Sequence, residues 1–145
     1  MDWIYKGKTF VPPEDFSPEK MYGFIYQIRN TENDMKYIGK KFFYSAKTKQ
    51  VKGKKKKYKA LSNWQTYYGS SDNLTKDVLQ LGHENFKREI LHLCLTKGEC
   101  GYLEAKEQFR NNVLETDNYY NSWIMVRVRK DHIKGYNARI LTEYK

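Results

Sequence analysis

The chain has 145 residues, 39% of them hydrophobic, enough for one core and too few for two comfortable domains. No apolar run approaches the roughly 20 residues that cross a bilayer, and the first six residues lack the apolar stretch of a secretory signal, so a membrane-spanning or exported protein is not expected and a cytoplasmic one is. The formal charge of +10 is concentrated: residues 35–71 hold eleven lysines and no Asp or Glu, while the remaining 16 basic residues face 17 acidic ones, an asymmetry that points to a polyanionic partner.

In chain order, residues 1–20 read as an irregular lead-in, with Pro12, Pro13 and Pro18 opposing any long helix. Residues 23–29 (GFIYQIR) are β-branched and aromatic, as a strand requires. Residues 30–34 (NTEND) are turn chemistry, and residues 35–39 (MKYIG) form the return strand of a β-hairpin. The lysine-rich insert, 40–68, has Gly53 inside its densest cluster, which favours an exposed hairpin or loop over a helix. Ser71 or Asp72 caps a helix to about Leu81, with Leu74, Val78 and Leu81 on one side and Gly82 as its stop.

Residues 86–94 (FKREILHLC) follow as a third strand. A second helix opens at Glu99 or Gly101 and ends near Glu115, with Tyr102, Ala105, Phe109 and Val113 as its apolar stripe. Cys94 and Cys100 fit neither a disulfide framework nor a zinc spacing and read as free thiols. Residues 117–121 form a turn, and the basic extension 123–145 forms a last strand or helix. The order β-β-(basic insert)-α-β-α predicts an α/β (α+β) domain over 21–122, with a central three-stranded antiparallel sheet flanked by helices.

If the hairpin closes symmetrically around Thr31 and Glu32, Tyr26 and Tyr37 lie directly opposite each other. Directly paired side chains share a face, so two phenols project together beside the lysines. Spacing alone favours two tyrosines simply packing on each other, the usual situation for Tyr in strands. Trp64, in the run 64–71 (WQTYYGSS), reads as a cap on the core, and His83, His92 and His132 lack metal-ligand spacing.

The triplet Phe24-Ile25-Tyr26, followed eleven residues later by Tyr37-Ile38-Gly39, resembles the signature of the GIY-YIG nuclease superfamily. The likeness extends through the strand 86–94, Glu104 in the second helix, and Asn121 after Tyr119-Tyr120. It covers about residues 21–122 and looks closest to the small phage-encoded members, among which homing endonucleases are best known. The resemblance implies a metal-dependent endonuclease that hydrolyses phosphodiester bonds of double-stranded DNA, in the host-cell cytoplasm if phage-encoded.

The resemblance also implies roles. Glu104 would hold the single Mg²⁺ (Mn²⁺ substituting), since one carboxylate with phosphate oxygens and waters can do so. Tyr26 would orient or deprotonate the attacking water, Tyr37 would assist or hold phosphate, and Asn121 would pin the chain near the site. Two departures stand out. Phe24 replaces the first glycine of the signature, and no arginine occurs between Gly39 and Lys87, where the superfamily places one in a helix. Lysine must then serve, with Lys40, Lys41, Lys47 and Lys49 as candidates and Arg88 as a second option; a lysine offers a point charge rather than a bidentate fork. Lys47, Lys49, Lys52, Lys54, Lys55, Lys56, Lys57 and Lys59 would track the DNA backbone. One metal site cuts one strand at a time, so a double-strand break needs a transient homodimer or two visits. The competing expectation is a non-catalytic DNA- or RNA-binding protein on the same fold.

Overall fold

The computed structural model describes residues 2–143, with side chains from 2 to 140. The strands are β1 (Trp3–Tyr5), β2 (Lys8–Thr9), β3 (Gly23–Asn30), β4 (Lys36–Phe42), β5 (Tyr44–Val51), β6 (Lys54–Leu61) and β7 (Phe86–Cys94). The helices are α1 (Asp72–Leu81), α2 (Lys97–Arg110) and α3 (Lys134–Glu143). β4, β3 and β7 make the expected three-stranded antiparallel core. Two further strands extend it to the order β2-β1-β7-β3-β4, with β1 parallel to β7.

Residues 3–9 are therefore a hairpin rather than irregular. Lys6 and Gly7 both adopt positive φ, which gives the tight two-residue turn that right-twisted strands need. The prolines that oppose a helix all lie beyond it. Trp3 enters the core and its Nε1 donates to the Trp64 carbonyl at 2.7 Å.

The β3–β4 hairpin has a different register from the symmetric one. Its loop is four residues long because the Asn30 side chain accepts from the Glu32 N–H, Asn33 accepts from the Met35 N–H, and Asp34 takes φ +62°. Tyr26 consequently lies opposite Gly39, and Tyr37 opposite Ile28. The shift is an even number of residues, so both phenols keep the same face as diagonal neighbours, with ring centroids 6.1 Å apart.

Alternation along β3 divides the core in two. Phe24, Tyr26 and Ile28 face α1 and join Trp3, Trp64 and Leu74, whereas Ile25 and Ile38 face α2 and join Cys94, Cys100 and Leu103. Both cysteines are buried and free. α1 starts and stops as its sequence predicts: Ser71 Oγ accepts from the Leu74 N–H, and Gly82 ends it at φ +92°. α2 begins earlier, at Lys97, because Thr96 caps the Glu99 N–H. It ends earlier too, because Asn112 turns left-handed and the Val113 N–H reaches back to the Gln108 carbonyl.

The predicted stripe of α2 is corrected in part. Ala105 and Val113 are buried as expected and Tyr102 packs against the core, but Phe109 is exposed, and the packed face also carries Cys100, Leu103, Glu107 and Gln108. Glu104 lies on that same face.

β5 and β6 form a separate two-stranded ribbon, turned by Lys52 and Gly53, both at positive φ. Residues 46–50 and 52–59 are all exposed. Residues 122–129 form an extended strap with Ile124 and Val128 turned inward. Val128 Cγ2 would lie 3.7 Å from a Cβ on Gly101 of α2. α3 is tied back to α2 by Arg139, whose Nη2 lies 2.5 Å from the buried carboxylate of Glu99. The 123–145 extension thus ends in a helix after a non-helical strap; residues 144–145 lie outside the described residues. No helix among the described residues is long and apolar enough to cross a membrane.

Candidate active site

β4 is an edge strand, and a cavity of about 620 Å³ opens beside it. Tyr37 reaches the cavity from one face of the sheet; Lys40, two positions from inward-facing Ile38, reaches it from the other, together with Glu104 of α2. Ser70, Lys76 and the exposed Asp72 of α1, with Gln108 and Asn121, belong to its polar wall. The Glu104 side chain is only 16% exposed, with Oε1 3.6 Å from Lys40 Nζ. Burial pushes its carboxyl above the usual glutamate range, and Lys40 offsets part of that.

Tyr26 does not border the cavity. It is fully buried, and burial first, then Tyr67 and Tyr37, pushes its phenol well above the ordinary tyrosine value. Nearby lysines therefore do not make it a better base. A β-bulge interrupts the β3–β7 pairing between Ile25 and Tyr26, a device that re-aims side chains. Tyr37 is the accessible phenol. Its hydroxyl lies 2.8 Å from Ser70 Oγ, and burial raises its pKa despite that hydrogen bond.

Gly39 fits the second triplet for a steric reason. A Cβ there would lie 2.5 Å from Tyr26 Oη and 2.9 Å from Tyr37 Cε1. Gly39→Ala should therefore displace both phenols and cost about 1–3 kcal/mol, measurable by urea unfolding.

Asn121 completes the edge. Its Oδ1 accepts from the Ile38 N–H at 3.0 Å, and its Nδ2 donates to the Ile38 carbonyl at 2.8 Å. Gln108 Nε2 donates to the same carbonyl at 3.0 Å. The side chain thus substitutes for a neighbouring strand at the residue between Tyr37 and Gly39. Asn121→Ala should lower stability by about 1–3 kcal/mol in urea unfolding, and Asn121→Asp, which sets a carboxylate oxygen against the Ile38 carbonyl, should not restore it.

The remaining predicted residues separate. Lys41 points to the opposite face from Lys40, its Nζ 4.1 Å from the Tyr67 ring centroid. Lys47, Lys49, Lys52, Lys54, Lys55, Lys56, Lys57 and Lys59 all belong to the exposed ribbon or its turn. Arg88 is unsuited to phosphate: it is buried between Trp3 and Tyr68 and donates to the carbonyls of Gln65 and Tyr67. Lys76 and Gln108 were not singled out by sequence. The first sits on the exposed side of α1, and the second falls outside the predicted apolar stripe of α2.

His92 meets Glu107 at 2.8 Å and His83 stacks on Tyr68, both away from the cavity. Among the described residues, no three His, Cys, Asp or Glu side chains cluster to hold a metal. An all-protein metal cage is therefore not what this site offers. A single, largely buried carboxylate with raised pKa does suit a divalent cation that keeps waters and phosphate oxygens as its other ligands.

No curated protein and no solved structure matches the chain. Residues 3–124 match the family model described as "Putative endonuclease segE, GIY-YIG domain". That span takes in the β1–β2 hairpin, the ribbon and every residue lining the cavity, Asn121 among them, except Met125, so the chain belongs to this GIY-YIG endonuclease family.

Proposed function

We propose that the chain nicks double-stranded DNA by hydrolysing a phosphodiester held in the cavity beside β4. The observation that carries this reading is Glu104, a mostly buried carboxylate paired with Lys40 in a cavity that also holds Tyr37 and Lys76. Glu104 would hold one Mg²⁺, with Mn²⁺ as substitute. When bound, that ion would act as a Lewis acid toward the phosphate and the departing oxygen.

The chain's own groups account for the rest. Lys40 and Lys76 would neutralise charge developing on the phosphate oxygens, taking the place of the missing arginine. Tyr37, protonated at neutral pH and held 2.8 Å from Ser70 Oγ, would donate a hydrogen bond to a phosphate oxygen, and the proton lost by the attacking water would leave to solvent. Tyr26 would support Tyr37 and Tyr67 from beneath, Asn121 would fix the β4 edge, and Lys41 would position Tyr67. The ribbon lysines would follow the DNA backbone and hold it without reading sequence. Cutting both strands would require a transient homodimer or a second visit.

Among the residues lining the cavity none is arginine, and this favours a second reading, a nucleic-acid-binding protein without catalysis. Supercoiled plasmid with Mg²⁺ or Mn²⁺ decides between the two, using wild type, Glu104→Ala, Tyr37→Phe and Tyr26→Phe. Nicking by wild type, loss in Glu104→Ala and slowing in Tyr37→Phe, all with DNA binding retained, would support the nuclease. Equal binding with no cutting by any form would leave the binding protein. Labelled RNA in the same assay tests the nucleic-acid class.

A further inference from the structure

The three tryptophans are treated very differently. Trp3 and Trp64 are 3% and 6% exposed, and they are joined through a hydrogen bond. Trp123 is 65% exposed. Among the described residues its side chain has no hydrogen bond, ring stacking or cation contact. Its place is specific nonetheless: with Met125, itself 72% exposed, it lines the same cavity as Glu104, Lys40 and Tyr37.

Local structure explains why it is held there. Ile124 packs inward and Val128 lies against Gly101 of α2, while Trp123, Met125, Val126, Arg127 and Arg129 are exposed. Asn121, two residues earlier, is fastened to Ile38 by two hydrogen bonds. The indole is thus fixed on both sides in the chain, and it stands at the rim of an otherwise polar site.

A cavity of about 620 Å³ is in the range that accommodates a small ligand, and a phosphodiester fills only part of it. A paired and stacked base in a duplex presents no free π-face. An indole beside the reacting phosphate can be used only by a base that has left the stack, and any base will serve because each has a π-face.

Resting on the nuclease reading above, we propose that Trp123 is a base-stacking residue that captures an unpaired nucleobase next to the phosphate in the cavity. The favoured substrate is then DNA with a locally opened step, such as a single-nucleotide bulge. Met125 forms the apolar floor against which the captured base lies.

The test uses the full-length protein and two labelled DNAs of the same sequence, one fully paired and one with a single-nucleotide bulge. Binding is followed by fluorescence anisotropy without divalent cation, so that cutting plays no part. Wild type should bind the bulged DNA roughly tenfold more tightly. Trp123→Ala should abolish that preference while keeping affinity for the paired duplex, and Trp123→Phe should keep most of it. Equal binding of both DNAs by wild type overturns the proposal. So does a preference that survives in Trp123→Ala, which would make Trp123 a contact for some other macromolecule. If the bulge preference is present but plasmid is never nicked, the nuclease reading fails and the stacking site stands.

Discussion

Glu104→Gln should bind DNA like wild type, nick it at least about a hundredfold more slowly, and melt no lower in the absence of metal. The first two outcomes follow from placing the only largely buried carboxylate of the cavity where a cation would sit. The third follows from its burial. Burial favours the neutral carboxyl and raises its pKa, so the stability it contributes is present in acid and is lost as pH rises through that raised value. Glutamine keeps the neutral form at every pH. The variant's melting temperature should therefore exceed wild type's by a few degrees near neutral pH, and the difference should vanish below the ordinary glutamate range. Lys40, 37% exposed, can turn to water when its partner is lost.

Two further readouts belong to the same variant. Mg²⁺ should raise the melting temperature of wild type and leave that of Glu104→Gln unchanged. The acid limb of wild-type nicking should move to lower pH as Mg²⁺ is raised, because proton and cation compete for the same carboxylate. A melting temperature that falls by many degrees in Glu104→Gln would show the carboxylate to be a structural partner of Lys40 instead.

Replacing the eight ribbon lysines with glutamine should have the largest effect on binding. Each phosphate contact contributes about 0.9 to the slope of log affinity against log salt. With half of the lysines engaged, the slope should fall by roughly 3–4, and affinity at low salt by at least about a hundredfold. The register allows the two faces to be tested separately. Lys47, Lys49, Lys54 and Lys56 share one face, and Lys55, Lys57 and Lys59 share the other. A one-sided variant that reproduces most of the loss identifies the face laid on DNA. Folding should not suffer, because Lys49 and Lys56 are directly paired like charges. An unchanged salt slope would remove the ribbon from the interface.

Much of the frame was legible because it rests on local chemistry. Ser71 and Gly82 bound α1 as capping predicts, and the β-branched and aromatic run 23–29 forms a strand, buried on both faces. The Tyr26–Tyr37 pairing fails by two residues because Asn30 and Asn33 use their side chains to build a longer loop, which a symmetric turn omits. α2 misleads more deeply. Its packed face includes Glu107 and Gln108, whose polar groups are satisfied by His92 and the Ile38 carbonyl. Hydrophobic periodicity cannot register a face buried through hydrogen bonds. Glu104 was therefore identified by resemblance, and Trp3, paired with Trp64 across 61 residues, by neither route. Trp123 has no such signal either, because exposed Val126 breaks any alternation in residues 123–129, and the indole becomes informative only beside the cavity.

The sheet's two borders are both guarded: β2 is two residues long and exposed, and Tyr119, Asn121 and their neighbours occupy the outer side of β4. The ribbon has no such cover, and its strands present unpaired backbone groups that invite another ribbon to add on. What prevents this is mutual repulsion among lysines, which weakens when ions screen it. Self-association through the ribbon should therefore grow with ionic strength while the grip on DNA declines. Storage at high salt, chosen to keep such a basic protein free of nucleic acid, would then be the condition that most encourages it to aggregate.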